Sequence, residues 1–284
     1  MDILVTGAAG MLGTDLVTAL LEADHDVTGL SRADLDITSP AAVEEAVRGH
    51  QVVVNAAAWT AVDDAETHEG PAFAVNAVGP ALLGAACART GTRLVHVSTD
   101  YVVGDVPSGT PVAADAPVLP QTAYGRTKAA GEWAVRASGA DALVLRTAWL
   151  YGAHGPCFPR TMARLARERD VLQVVQDQVG QPTWTVDVAD LVVRLLSAGA
   201  PAGTYHATSS GWTSWYEFAV EVVRSVGRDP DMVDPVTSEQ FVRPAPRPAW
   251  SVLSHDTLKA VGVAPIGAWR LRWAEAADEV LAEA

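Results

Sequence analysis

Cysteine and lysine are both scarce in this chain. Only Cys87 and Cys157 occur in 284 residues, and they form no CxxC pair, which excludes a disulfide framework. Lys128 and Lys259 are the only lysines among 20 cationic residues, so arginine fills nearly every other cationic role. A retained lysine therefore stands out as a position where arginine would fail. Positive charge is also short overall. A net charge of −14 argues against a broad basic face for nucleic acid or an anionic membrane, while leaving room for a small basic pocket. No uninterrupted apolar run approaches the ~18 residues that cross a bilayer. The opening Met1–Gly7 has no basic stretch and its apolar run breaks at Gly7, so an ordinary signal peptide is not expected. These absences make the cytoplasm the expected location, with neither nucleic acid nor membrane as a partner. The seven histidines form no HxxxH or His/carboxylate cluster, so no metal site is expected, and His96 reads as a core histidine.

What is present is a globular composition, 49% hydrophobic and 19% charged. Residues 3–6, 26–30, 52–55, 94–98 and 143–146 read as strands, in near-continuous apolar runs suited to parallel strands covered on both faces. Helical stretches near 11–23, 40–49, 70–90 and 122–138 alternate with them, and Pro40 and Pro71 sit where a first helical turn accepts proline. This alternation predicts an α/β fold, a Rossmann-type doubly wound parallel sheet over residues 1–150. After about residue 150 the rhythm changes. Residues 151–284 are expected to form a smaller substrate lobe, with a segment near 183–198 packing back on the sheet.

Gly7-Ala-Ala-Gly10-Met11-Leu12-Gly13 follows the first strand and opens the first helix. Glycines there let the turn tighten and the backbone approach a pyrophosphate, which the helix N-terminus then receives. Ser31-Arg32 ends the second strand. An acidic residue at that place would grip the ribose of NAD, whereas arginine suits the 2′-phosphate of NADP; a solvated loop cation is the other reading of Arg32. NADPH is thus preferred over NADH. Asp36-Ile37 suits an adenine edge and face. Asn55-Ala56-Ala57-Ala58, at the end of the third strand, lies either beside the pyrophosphate or in ordinary close packing.

Tyr124 and Lys128 stand four residues apart on a predicted helix, hence on one face. The ammonium favours tyrosinate and lowers the phenol's pKa, so Tyr124 can protonate a carbonyl oxygen as hydride reaches its carbon. Ser98-Thr99-Asp100 closes the fourth strand on the expected crevice side, where Thr99 can hydrogen-bond both the carbonyl and Tyr124.

Five blocks now stand in order along the chain: Ser98-Thr-Asp-Tyr-Val102, Tyr124-Gly-Arg-Thr-Lys-Ala-Ala-Gly-Glu132, Arg146-Thr-Ala-Trp-Leu-Tyr-Gly152, Asp177-Gln-Val-Gly-Gln-Pro-Thr183 and Arg247-Pro248 with Ser251-Val-Leu253. Together they resemble the dTDP-4-dehydrorhamnose reductase family, and the GxxGxxG spacing resembles extended short-chain dehydrogenases. The first two blocks are shared across extended short-chain reductases; the Asp177–Thr183 block and the Arg-Pro segment are more specific. The resemblance implies a Rossmann domain with a sugar-nucleotide lobe. It also implies NAD(P)H-dependent reduction of the C4 keto group of dTDP-6-deoxy-L-lyxo-4-hexulose to dTDP-L-rhamnose. It makes Thr99, Tyr124 and Lys128 the catalytic triad, and sets Gly7, Gly10, Gly13, Arg32, Asp36, Ile37 and Asn76 around the dinucleotide. It puts Trp149 beside the sugar or base and brings in Mg²⁺, for which the sequence offers no ligand set. Val103 departs from the family's usual phenylalanine, Gln121-Thr122-Ala123 from Leu-Asn-Val, and Trp250 from asparagine or tyrosine; the last bears on the sugar pocket.

A sugar nucleotide brings a diphosphate, which arginine's planar fork suits. Arg247 is the candidate and Arg243 the second. Trp149 and Trp250 suit a base or sugar face, while Trp184 reads as core. Gln178 and Thr183 either bond the pyrimidine or sugar edge or are satisfied loop residues. Two alternatives stay open: a ketoreductase for another dTDP-deoxysugar in natural-product glycosylation, and a non-catalytic NADP-binding subunit such as the related regulatory subunit of methionine adenosyltransferase. A homodimer is compatible with the sequence.

Overall fold

A computed structural model describes residues 1–104 and 106–282. The first half runs β1 (Asp2–Thr6), α1 (Met11–Glu22), β2 (Asp26–Leu30), α2 (Pro40–Val47), β3 (Val52–Asn55), α3 (Val62–Ala65), α4 (Glu69–Phe73), α5 (Gly79–Thr90), β4 (Arg93–Thr99), α6 (Ala123–Ala137) and β5 (Ala142–Thr147). Beyond it lie β6 (Leu150–Tyr151), α7 (Phe158–Glu168), β7 (Leu172–Val175), β8 (Val179–Gly180), β9 (Thr183–Trp184), α8 (Thr185–Ser197), β10 (Gly203–His206), β11 (Thr213–Ser214), α9 (Trp215–Ser225), β12 (Val233–Val236), α10 (Asp256–Ala260) and α11 (Trp269–Leu281).

The main sheet has the order β10-β5-β4-β3-β1-β2, all parallel. Alternation along the strands divides its two cores. Ile3, Val5, Val52 and Val54 face α1 and α8, whereas Leu4 and Val53 face the layer that holds Val43, Leu83 and Val135. With both faces covered, the inner strands are mostly apolar. The edge strands differ: β2 has no fully buried residue and β10 leaves Gly203 exposed. Because β2 and β3 leave β1 on opposite sides, a crevice opens at the carboxyl ends of β1 and β3.

The return of the chain to the sheet is wider than the segment 183–198. Helix α8 packs on α1 through Val188, Leu191, Val192 and Leu195, and β10 adds a sixth strand beside β5. Gly-Thr-Tyr-His is too short and too little apolar to announce such a strand on its own. The remaining lobe pairs β6 with β9, β7 with β12 and β8 with β11. Its core is aromatic, joining Tyr151, Trp184, Phe218, Trp269 and Trp273.

One expectation about apolar length needs correcting. Residues Glu69–Thr90 form a 22-residue helical stretch in which one 18-residue window has a mean hydropathy of 1.5, enough by length and composition to cross a bilayer. Half of that window is buried within the fold, where the stretch packs on α6 and α2. Its hydropathy comes largely from alanine, valine and leucine, and the glycines, prolines and Asn76 among them broke the visible run. A π-helical turn, Ala74–Val78, interrupts it at Asn76.

Because α8 belongs to the sheet's core, Leu191→Ala should lower stability by about 2–5 kcal/mol, read by urea unfolding. A loss below ~1 kcal/mol would mean that α8 is not packed as described.

Candidate active site

The crevice divides into adjoining clefts. One, of about 510 Å³, is lined by Gly7, Gly10, Arg32, Asp36, Ile37 and Ala56–Ala58. The next, of about 710 Å³, is lined by Gly10–Gly13, Thr99, Asp100, Tyr101, Tyr124, Lys128 and Trp149. Tyr101 also borders a third, of about 380 Å³, with Asp63, Gln178, Trp215, Arg243 and Arg247.

The first two clefts suit a dinucleotide. Gly7 has φ +73°, and a Cβ there would lie 2.6 Å from the Ala57 nitrogen; one on Gly13 would lie 2.0 Å from the Gly7 carbonyl oxygen. Helix α1 starts at Gly10 with no side-chain cap, so its first N–H groups remain available to phosphate oxygens. Arg32 is exposed at the far end. The neighbouring Asp34 turns back on Ser31, accepting from its hydroxyl at 2.6 Å and its amide at 3.0 Å. Asp36 likewise accepts from Thr38, and Ile37 buries its side chain against Gly79.

Helix α6 supplies the reactive pair. Its N-cap is Thr122, whose hydroxyl accepts from the Gly125 amide at 2.9 Å, and the Ala123 amide donates to Glu66 at 2.8 Å. The departure at Gln121-Thr122-Ala123 thus supplies the cap that fixes where the helix begins. Tyr124, Lys128 and Glu132 follow at four-residue spacing on its buried face. Lys128 is 2% exposed and donates from Nζ to the Val97 carbonyl at 2.7 Å. Burial pulls its pKa down to about 8, opposed by the charge of Glu132. Burial raises the Tyr124 phenol; a hydrogen bond with Thr99 works the other way, and Asp100 adds to the rise.

Glu132 anchors this face. It is fully buried and accepts from Arg146 Nε and an η nitrogen, both at 2.9 Å, and from Arg136 at 2.8 Å. Burial would push the Glu132 carboxyl up, but the Arg146 fork, with Ser98 and Arg136, outweighs it and holds the group at about 2. Behind the cleft, Asn55 accepts from Thr6 at 2.7 Å and from the Ala57 amide, and it donates to His96, which burial keeps neutral.

Not every sequence candidate reaches a cleft. Asn76 spends its amide on Trp59 N and O and on Thr127, and so positions the loop after β3 against α6. Thr183 is buried between Gln181 and Ser209. Trp250 is 5% exposed and donates to the Thr110 carbonyl at 2.9 Å. Asn55, Asn76, Thr183 and Trp250 line none of the three clefts. Gln178 borders the third and donates to Ser238. Arg247 reaches it too, held by Asp63 at 2.9 Å with its guanidinium 6.0 Å from the Tyr101 ring centre. Trp149 has φ +46° and stacks flat on Trp215, ring centres 3.6 Å apart; a Cβ on Gly180 would strike its indole at 2.5 Å. Asp63, Trp215 and Tyr101 were missed from the sequence. Tyr101 stood inside a quoted block, whereas Asp63 and Trp215 carried no local signal. Among the described residues, no group of three or more His, Cys, Asp or Glu is placed to hold a metal ion.

A carboxyl whose pKa is depressed by folding stabilises the fold above its unfolded value and loses that contribution as pH falls. Ionised Glu132 should therefore contribute roughly 3 kcal/mol at neutral pH, disappearing between about pH 4.5 and 2. Glu132→Gln should cost about 3–5 kcal/mol at pH 7, since Arg146 is left buried and unpaired, and should flatten that acid limb in denaturant titrations.

Comparison with known proteins agrees along the whole length. A family model described as RmlD substrate binding domain matches residues 1–282. The chain is 49% identical to a probable dTDP-4,6-dihydroxy-2-methyloxan-3-one 4-ketoreductase of Streptomyces antibioticus, over 98% of this chain and 95% of that protein. It is also 49% identical to a dTDP-4-dehydrorhamnose reductase of Streptomyces griseus, over 94% and 90%. A crystal structure of the Bacillus anthracis dTDP-4-dehydrorhamnose reductase in complex with NADP superposes with a TM-score of 0.91 at 33% identity, covering 100% of this chain and 99% of that one. The chain belongs to the dTDP-4-dehydrorhamnose reductase family.

Proposed function

We propose that this chain is an NADPH-dependent oxidoreductase that reduces the C4 carbonyl of a dTDP-4-keto-6-deoxyhexose, converting dTDP-6-deoxy-L-lyxo-4-hexulose to dTDP-L-rhamnose. The observation that carries it is the buried Tyr124–Lys128 pair beside Thr99, in the cleft that continues from the glycine loop.

NADPH, when bound, supplies the hydride. Gly7, Gly10 and Gly13 with the start of α1 receive its diphosphate, and Arg32 meets the 2′-phosphate, which favours NADPH over NADH. Met11 and Leu12 with Ala56–Ala58 wall that path. Tyr124 gives its hydroxyl proton to the carbonyl oxygen, where Thr99 also bonds. Lys128 draws the phenol's pKa back towards working pH once substrate and cofactor exclude water. Arg247, backed by Arg243, takes the sugar-nucleotide diphosphate, and Gln178, Trp149 and Trp215 border the base and sugar. In this division residues 1–150 carry the cofactor and the reactive groups, and residues 151–284 bring Gln178, Trp215, Arg243 and Arg247 to the substrate. The two free, buried cysteines suit a reducing compartment, and the cytoplasm is the location proposed.

A second reading, reduction of a different dTDP-keto-deoxysugar, is favoured by the 49% identity to the Streptomyces antibioticus ketoreductase. The assay separates the two. NADPH oxidation is followed with a panel of dTDP-4-keto-6-deoxyhexoses and the product configuration is read by NMR; a product other than the L-rhamnose configuration selects the second reading. Tyr124→Phe should lower turnover by roughly 10²-fold or more while NADPH still binds with near-normal affinity. An unchanged rate would remove Tyr124 from the acid's role. Arg32→Ala should raise the KM for NADPH about tenfold or more and leave that for NADH little changed, as loss of one charge-assisted phosphate contact requires.

A further inference from the structure

The segment that carries Arg243 and leads to Arg247 is a strap with little packing of its own. Residues 239–244 are all exposed, Val242 to 85%, so no core holds them. Two carboxylates fix the strap at its ends. At the first, Asp177 accepts from the Ser238 amide and hydroxyl, both at 2.8 Å, and Gln178 donates to that hydroxyl. At the second, Asp63 meets Arg247 at 2.9 Å, Arg243 at 3.7 Å and the amide of buried Ala245 at 3.3 Å. Asp63 stands on firm ground. Its short helix α3 packs Val62 and Ala65 against Ala123 and Tyr124, and Glu66, the next residue, accepts from the Ala123 amide at 2.8 Å. The latch is therefore rigid with respect to the reactive phenol.

An acid has the wrong charge for a pocket that receives a diphosphate, and Coulomb repulsion alone would favour its absence. Its use lies in geometry. Arg247 Nη1 donates to the Ala245 carbonyl at 2.7 Å while Nη2 pairs with Asp63. One side of the guanidinium is thus held, and the Nε proton with a second proton on each η nitrogen is left for a ligand. Tyr101 spans the gap from there to the acid: the Arg247 guanidinium lies 6.0 Å from its ring centre, and its ring stands edge-on to that of Tyr124 at 5.6 Å.

We infer that Asp63 is a positioning residue for the substrate: it latches the strap to α3 and so fixes the Arg247 fork at a set distance from Tyr124, where a nucleoside diphosphate gripped by the fork brings its sugar to the acid. The inference rests on the proposed assignment of the substrate diphosphate to Arg247. Two effects oppose each other at Asp63. Its charge repels the ligand, but Asp63 is partly exposed and solvent screens that repulsion. Against this, an unlatched Arg247 on an exposed strap would have to be ordered by the ligand itself, which lowers affinity. Ordering outweighs repulsion, so removing the negative charge weakens the binding of an anion.

The test uses dTDP as the probe, with its Kd read by titration calorimetry on the whole chain in saturating NADPH. Asp63→Asn keeps the shape of the side chain and an acceptor for the Ala245 amide, but loses the charge. Its Kd for dTDP should be about fivefold higher than the parent's, the difference between a charge-assisted and a neutral bond to Arg247. Equal or tighter binding, the result that repulsion alone requires, overturns the inference. NADPH affinity, read by fluorescence titration, should match the parent's; a parallel loss there makes Asp63 a general structural residue and overturns the inference too. A second arm places Asp63→Asn on an Arg247→Ala background. With the fork gone the latch has lost the group it positions, so the further loss of dTDP affinity should disappear. A loss of the same size on that background overturns the inference. Arg247→Ala by itself should weaken dTDP binding; if it does not, the diphosphate assignment in the proposed function fails, a result separate from any outcome at Asp63.

Discussion

A lysine ammonium with 2% exposure is the constraint around which this molecule is organised. Burial alone drives such a group towards its neutral form, and a neutral lysine would do little for a neighbouring phenol. The fold answers with a carboxylate one turn further along the same face of α6. Glu132 is itself buried, so it needs Arg146 from β5 and Arg136 from its own helix to stay ionised. Arg146 in turn donates to the Ala114 carbonyl and is among the largest fully buried side chains of the chain. A charge used at the top of the helix is thus balanced by a network at its base. This explains why α6 carries both the reactive pair and the heaviest buried polar load.

The same logic fixes the surroundings of that helix. Its start is set by Thr122 and Glu66, and its first turns are gripped from the side by the Arg126–Glu69 fork at 2.8 and 2.9 Å. Its underside meets the π-helical turn, where Asn76 reaches Thr127 and the backbone of Trp59 at once. A regular α-helix through residues 74–78 would carry that amide on a different bearing. The loop after β3, which walls the dinucleotide cleft, is therefore tied to the helix that walls the reactive cleft. Moving one without the other would leave a buried amide unsatisfied.

Legibility from sequence followed the range of the interactions. Strands β1 to β5, the longer helices between them and the glycine loop were readable because each is written in consecutive residues: apolar runs, N-terminal prolines, glycines at fixed spacing; the four-residue α3 was not. The Tyr124–Lys128 pair was readable for the same reason, since helical spacing alone sets both on one face. β10 was not, because Gly-Thr-Tyr-His becomes a strand only through pairing with β5, some 60 residues earlier. Thr183 and Trp250 lie in family-like segments, yet the chain turns their side chains into Gln181 and Thr110 rather than into a cleft. Asn76 shows a residue set near a ligand by resemblance whose hydrogen bonds all go to the protein.

The residues missed altogether show what local reading cannot supply. Asp63 sits in the short helix α3 and Arg247 far along the chain, yet they meet at 2.9 Å, with the Ala245 amide donating to the same carboxylate at 3.3 Å. Trp149 adopts a left-handed backbone, unfavourable for a large side chain, and keeps it because Trp215 covers one face of its indole and Gly180 makes room for the edge. Gly180 belongs to the Asp177–Thr183 block, whose sequence gives no reason for a glycine until Trp149 lies against it. In both cases a residue of the first half is held by residues of the second, across the cleft the two halves share. The second half therefore does more than cover the first: it forces the conformation of Trp149 on the wall of the reactive cleft, so substrate recognition and the chemistry of the cleft cannot be assigned to separate parts of the chain.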